Sequence, residues 1–90
     1  MIRGIEELNQ TSIELQGACS GVYFLFHNNE LVYIGQGWNC FLRVAEHTRK
    51  ESEKIFDRWS YIRIDAETER KSVERELVKT HKPKYNRIYA

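Results

Sequence analysis

The apolar positions of the chain are densest between residues 21 and 34. Gly21-Val-Tyr-Phe-Leu-Phe26 is rich in β-branched and aromatic residues and predicts a strand; His27-Asn-Asn29 predicts a turn; Leu31-Val-Tyr-Ile34 predicts a second strand. Gly35-Gln-Gly37 interrupts the pattern. From about Asn39 to Arg49 the period becomes helical, with Phe41, Val44, Ala45 and Thr48 on one face and Arg43, His47 and Lys50 on the other. A third strand is predicted from Trp59 to Ile64, with Trp59, Tyr61 and Arg63 on one side and Ser60, Ile62 and Ile64 on the other. Ala66 to His81 predicts a helix that turns Val73, Leu77 and Val78 inward and stops at Pro83. Residues 3–10 predict a short helix, and Thr11 to Cys19 a loop.

The hairpin loop decides where the two tyrosines fall. A two- or four-residue loop pairs Tyr23 with Ile34 and sends Tyr23 and Tyr33 to opposite faces. A three-residue loop, with Asn29 in the left-handed region, places Tyr23 directly opposite Tyr33 and gathers Val22, Phe24, Val32 and Ile34 on one apolar face. The second register is the expected one. The plain alternative for the tyrosines is a cross-strand aromatic pair that only stabilises the sheet.

Ninety residues, 41% hydrophobic, are enough for a single domain spanning 1–90 with a modest core. No apolar run reaches membrane-spanning length and no signal-peptide core opens the chain, so a cytoplasmic protein without a membrane partner is expected. Cys19 and Cys40 have neither zinc nor CxxC spacing and are expected as reduced thiols; Cys40 and His47 likewise fit no usual zinc spacing. The formal net charge of +1 argues weakly against nucleic acid. It averages uneven parts, however. Residues 1–20 carry one basic group against three acidic, residues 21–62 five against five, and residues 63–90 eight against five.

Gly21-Val22-Tyr23 and, ten residues on, Tyr33-Ile34-Gly35 resemble the paired motifs of the GIY-YIG nuclease domain. Each tripeptide is weak alone, but the remainder of the family pattern follows in order across residues 21–86. Arg43 stands eight residues past the second glycine and His47 four beyond it; Glu74, Leu77, Val78, Pro83, Tyr85 and Asn86 match the closing pattern. The resemblance implies a small α/β (α+β) fold, a three-stranded antiparallel sheet flanked by helices. It also implies a metal-dependent endonuclease, a hydrolase of DNA phosphodiester bonds with low sequence specificity or a preference for DNA structure. The alternative is a non-catalytic nucleic-acid-binding or interaction module that keeps the fold.

The resemblance implies a candidate catalytic set of Tyr23, Tyr33, Arg43, His47, Glu74 and Asn86. Tyr23 corresponds to the general base, and a free phenol with a pKa near 10 needs help to serve as one. Tyr33 and His47 are the candidates for orienting it. Arg43 suits a transition state that gains negative charge. Glu74 would hold one Mg²⁺ (or Mn²⁺), favoured over Glu76 by its spacing to Leu77 and Asn86. Asn86 organises the site by hydrogen bonding.

Binding residues are expected around this set. Lys82, Lys84 and Arg87, with Lys79, form a basic end; Arg49, Lys50 and Lys54 form a second cluster diluted by Glu51, Glu53 and Asp57. Trp38 is expected to be exposed and to stack on a base, Trp59 to join the core, and His27 and His81 to lie at the surface. A protein partner or a homodimer is a candidate source of specificity.

Overall fold

The computed structural model describes residues 17–49 and 53–89, giving only the backbone of 87–89. The helix expected over residues 3–10 and most of the following loop lie outside the described residues, as does Lys50. Strand β1 (Gly21–His27) is central; β2 (Glu30–Gly37) and β3 (Arg58–Arg63) pair with it on either side, both antiparallel. Helix α1 (Cys40–Glu46) follows β2, helix α2 (Glu67–His81) follows β3, and a 3₁₀ turn (Lys84–Tyr89) ends the described chain. This is the small antiparallel sheet with flanking helices that the resemblance implies, in the element order that the pattern predicts.

The two faces of β1 feed two cores. Tyr23 and Leu25 pack with Val32, Tyr33, Cys40 and Val44, and with the half-buried Phe56, Trp59, Tyr61 and Tyr85. Val22, Phe24 and Phe26 pack with Ile34 and Leu77 and with Leu31, Ile62, Ile64, Val73 and Val78. Helix α1 therefore covers the tyrosine face, and α2 supplies the inward stripe expected of it for the other face. The period-2 division of β3 is also as expected: Trp59 and Tyr61 go to the first core, Ile62 and Ile64 to the second.

The hairpin corrects the expected register. His27 pairs with Glu30, so the loop is the two residues Asn28 and Asn29, with φ of 53° and 67°. Two consecutive asparagines both accept the left-handed region, which is what the tight primed turn requires. A register shift follows between Leu25 and Phe26, because Leu25 pairs with Tyr33 and Phe26 with Leu31. Val32 is thus the extra residue of a bulge. The shift puts Tyr23 opposite Gly35, not Tyr33, and returns both tyrosines to one face. It also moves Val32 away from Val22, Phe24 and Ile34 into the tyrosine-side core. Gly35-Gln36-Gly37 does not interrupt the sheet; β2 runs through it and pairs to Gly37.

Helix α1 is shorter than predicted. Asn39 caps it, its Oδ1 accepting from the Leu42 N–H at 3.0 Å. Its inner face is Cys40, Val44 and the half-buried His47; Ala45 and Thr48 are exposed, and the Thr48 hydroxyl donates back to the Ala45 carbonyl at 2.6 Å. Cys40 is a small apolar residue at the first helical position. It takes the inward place and rotates the stripe so that His47 comes inside. Helix α2 ends at Lys82, whose left-handed φ of 47° directs its N–H to the Val78 carbonyl at 2.8 Å before Pro83.

Candidate active site

Five aromatic or basic side chains gather where α1 crosses β1 and β2. The Tyr23 hydroxyl oxygen lies 2.8 Å from His47 Nε2. The Tyr33 ring sits 5.0 Å from the His47 ring and 6.1 Å from that of Tyr23, both in tilted contact. Arg43, one turn before His47, is exposed and turned toward the Glu46 carboxylate, with Nη1 at 2.8 Å from Oε1. Lys54, arriving from the segment before β3, places Nζ 4.9 Å from the centre of the Tyr33 ring.

Backbone without side chains makes this cluster possible. Gly35 is the cross-strand partner of Tyr23, and a Cβ there would fall inside the Tyr23 phenol. Gly37 does the same for Arg43, since a Cβ would stand 2.9 Å from its Cγ. The two glycines at the end of β2 thus clear room for the two side chains that the motifs single out.

Burial sets the protonation states. The Tyr23 hydroxyl is pushed well above its ordinary value by desolvation, with Tyr33 adding to the rise and Arg43 opposing it. The His47 imidazole is lowered to about 4, first by desolvation, then by the positive charges of Lys54 and Arg43, against a smaller opposing pull from Glu46. Near neutral pH the pair is a neutral phenol beside a neutral imidazole.

Asn86 is buried, at 6% exposure, and clamps the edge of the sheet. Its Oδ1 accepts from the Ile34 N–H and its Nδ2 donates to the Ile34 carbonyl, both at 2.9 Å. Ile34 lies on the outer strand, so Asn86 satisfies polar groups that have no neighbouring strand. Its hydrogen bonding is directed to the backbone between Tyr33 and Gly35 and not to a reacting group. Pro83 and Tyr85 reinforce this placement: the Asn86 N–H donates to the Pro83 carbonyl at 3.0 Å, and the Tyr85 hydroxyl accepts from the Ile55 N–H at 3.1 Å.

Glu74 is carried on α2. It is half-buried while Glu76 is exposed. Desolvation raises its carboxyl, with Arg75 opposing, and no hydrogen bond or ion pair engages it among the described residues. A half-buried, unpartnered carboxylate is a suitable hard donor for a divalent cation. No group of three or more His, Cys, Asp or Glu side chains suited to a metal occurs among the described residues, so the donor set here is one carboxylate.

The remaining sites vary in support. Trp38 is exposed as expected, at 69%, while its carbonyl accepts from the Ser20 hydroxyl at 3.1 Å. Arg49, Lys82 and Lys84 are exposed; the Arg87 side chain is outside what is described. Trp59 is only half-buried, His27 is half-buried and His81 is exposed. Cys19 and Cys40 are both free thiols. The periodicity also missed Arg70, which is buried, with Nε donating to Gln36 Oε1 at 2.9 Å and Nη1 to the Asp65 carbonyl at 3.2 Å. The available signal was its place in line with Val73 and Leu77, three and seven residues on. Among the described residues no helix is long and apolar enough to cross a membrane.

Comparison with known proteins agrees with this geometry. No family model matches the chain. The UvrABC system protein C of Mycoplasmoides gallisepticum is 35% identical over 68 residues, covering 67% of this chain and 11% of that protein. The chain therefore spans about a tenth of the length of that relative. The GIY-YIG N-terminal endonuclease domain of UvrC from Thermotoga maritima, bound to magnesium as its catalytic divalent cation, superposes with a TM-score of 0.68 at 24% identity, covering 86% of this chain and 98% of that one. A variant of the same domain with a tyrosine replaced by phenylalanine gives a TM-score of 0.67 at 23% identity, covering 86% and 97%. The fold of this chain is the GIY-YIG fold, as the motif resemblance implies.

Proposed function

We propose that this chain is a divalent-cation-dependent endonuclease that hydrolyses DNA phosphodiester bonds, with low sequence specificity or a preference for DNA structure. The carrying observation is the 2.8 Å contact between Tyr23 and His47, set beside Tyr33 and Arg43 on a GIY-YIG fold. The magnesium bound by the Thermotoga maritima domain and the 35% identity to a UvrABC system protein C support the reading.

The reaction needs a base, a receiver for that base's own proton and a cation for the phosphate. Tyr23 is a neutral phenol, so it cannot take a proton while keeping its own. With His47 protonated on Nδ1, its Nε2 accepts the Tyr23 hydroxyl proton. The phenolic oxygen then takes a proton from the attacking water as the water oxygen bonds to phosphorus. The P–O3′ bond breaks, and the leaving oxygen takes a proton from solvent. The raised Tyr23 hydroxyl and the lowered His47 imidazole both oppose this transfer in the free protein, so it runs together with attack on phosphorus and not ahead of it. Arg43 binds non-bridging oxygens as their charge grows, exchanging its exposed contact with Glu46 for the phosphate. Asn86 holds the strand that carries Tyr33 and Gly35. Glu74 would hold the cation, which when bound supplies Lewis-acid stabilisation to the phosphate and the leaving oxygen.

Trp38, Arg49, Lys50, Lys82, Lys84 and Arg87 supply the surrounding contacts to nucleic acid, with Trp38 stacking on an unpaired base at about 1–3 kcal/mol. With a net charge of +1 the affinity is modest, so a protein partner or a second copy adds to target selection.

The test is cleavage of supercoiled plasmid and branched DNA with Mg²⁺, Mn²⁺ or EDTA. Wild type is expected to nick both with either metal and neither with EDTA, while Glu74→Ala and Tyr23→Phe are inactive. Binding without cutting under every metal overturns the reading and favours a non-catalytic module.

A further inference from the structure

The segment between α1 and β3 is anchored closely enough to place a side chain. Glu53 adopts a left-handed φ of 59°. The Ile55 N–H is held by the Tyr85 hydroxyl at 3.1 Å, Phe56 packs into the tyrosine-side core, and the Asp57 N–H donates to the Phe26 carbonyl at 2.8 Å. Each bond joins this segment to a different element, the 3₁₀ turn in one case and β1 in the other. Lys54 is thereby set half-buried with its ammonium 4.9 Å from the centre of the Tyr33 ring, which itself contacts His47 and Tyr23. The sequence groups Lys54 with Arg49 and Lys50 in a basic cluster; the fold sets its ammonium against the Tyr33 ring of the site.

We propose that Lys54 is a second cationic phosphate-binding residue of this active site, contacting a non-bridging oxygen of the scissile phosphate alongside Arg43. The proposal rests on the nuclease reading. Arg43 approaches from α1 and Lys54 from the segment before β3, with Lys54 set against the Tyr33 ring that contacts both Tyr23 and His47. A dianionic transition state formed at Tyr23 would meet positive charge from both. Lysine suits this second position because its compact charge, on a flexible stem, rests against the Tyr33 ring.

The experiment compares wild type, Lys54→Met and Lys54→Arg in single-turnover cleavage with Mg²⁺, beside Glu74→Ala as the inactive control. Lys54→Met is expected to slow the cleavage step on the order of 10²-fold. DNA affinity should change by less than about threefold and the thermal midpoint by little, and Lys54→Arg should recover most of the rate. A second substrate carries a methylphosphonate at the scissile linkage. There the ratio of wild-type to Lys54→Met rates is expected to fall toward one, because the charged oxygen that Lys54 contacts is gone. A ratio that stays the same on both substrates assigns Lys54 a purely structural role and overturns the proposal. So does wild-type cutting by Lys54→Met while Glu74→Ala is dead, an outcome that leaves the nuclease reading intact. A wild-type protein that cuts nothing overturns both.

Discussion

Tyr23 lies directly across the sheet from Gly35, and its phenol occupies the space where any other residue at that position would carry a Cβ. The second motif glycine is therefore a steric requirement of the first motif tyrosine. Its φ is not positive, so conformational freedom is not the reason for glycine.

Gly35→Ala should displace the Tyr23 ring from His47 and reduce cleavage as severely as Tyr23→Phe. Overpacking at so tight a contact costs roughly 1–3 kcal/mol, so the protein should remain folded. Cleavage assays with thermal melts separate the two effects. An active Gly35→Ala protein with unchanged stability would show that the close contact has no functional weight.

His47 makes a pH prediction. Its folded pKa, about 4, is below the ordinary 6.5, so the unfolded chain binds the proton more readily. Its contribution to stability is full above about 6.5 and is lost as pH falls toward 4. Denaturant melts at pH 7, 5.5 and 4.5 should show wild type losing more stability than His47→Phe across that window. Cleavage should likewise show no inflection at pH 6.5, since His47 stays neutral well below it; a rate that halves near 6.5 would rule out the lowered value.

Asn86→Ala removes two hydrogen bonds and leaves a buried N–H and C=O of Ile34 without partners. The expected cost is about 2–4 kcal/mol by chemical denaturation. Amide exchange at Ile34 should accelerate beyond what global destabilisation explains. Asn86→Asp should do at least as much harm, since a carboxylate oxygen then faces the Ile34 carbonyl.

Glu46→Gln should leave stability nearly unchanged, because an exposed pair separated by three positions on a helix contributes about 0–1 kcal/mol. It releases Arg43 for phosphate. DNA affinity at low salt should therefore rise a few-fold, with a slightly steeper salt dependence, measurable by fluorescence anisotropy. Unchanged affinity would mean that Arg43 does not compete between Glu46 and phosphate.

The strands, the existence of both helices and the motif residues Tyr23, Tyr33, Arg43 and His47 were legible in the chain because each rests on a local signal. Those signals are β-branched runs, helical periods, Pro83 and motif spacing. Hairpin geometry was not, although the shared face of Tyr23 and Tyr33 was. A two-residue turn and a bulge at Val32 reach the same parity as the three-residue loop expected from a single left-handed asparagine. Period-2 patterning reports the face of a side chain and not its partner, so registers that differ by two residues look alike. Helical periodicity failed similarly at α1, where counting Cys40 as apolar and inward would have placed His47 inside.

What the sequence determined by itself is the set of elements and the chemical types available to them: a phenol, an imidazole, a guanidinium, a carboxylate and an amide in a fixed order. Only the tertiary structure decided their duties. It set Tyr23 against His47, gave Asn86 to the outer strand, buried Arg70 on Gln36 and carried Lys54 onto Tyr33. These contacts join residues from 21 to 52 positions apart, and no local pattern encodes them. They arise from packing both faces of one sheet, which selects among side chains that the local signals leave equivalent.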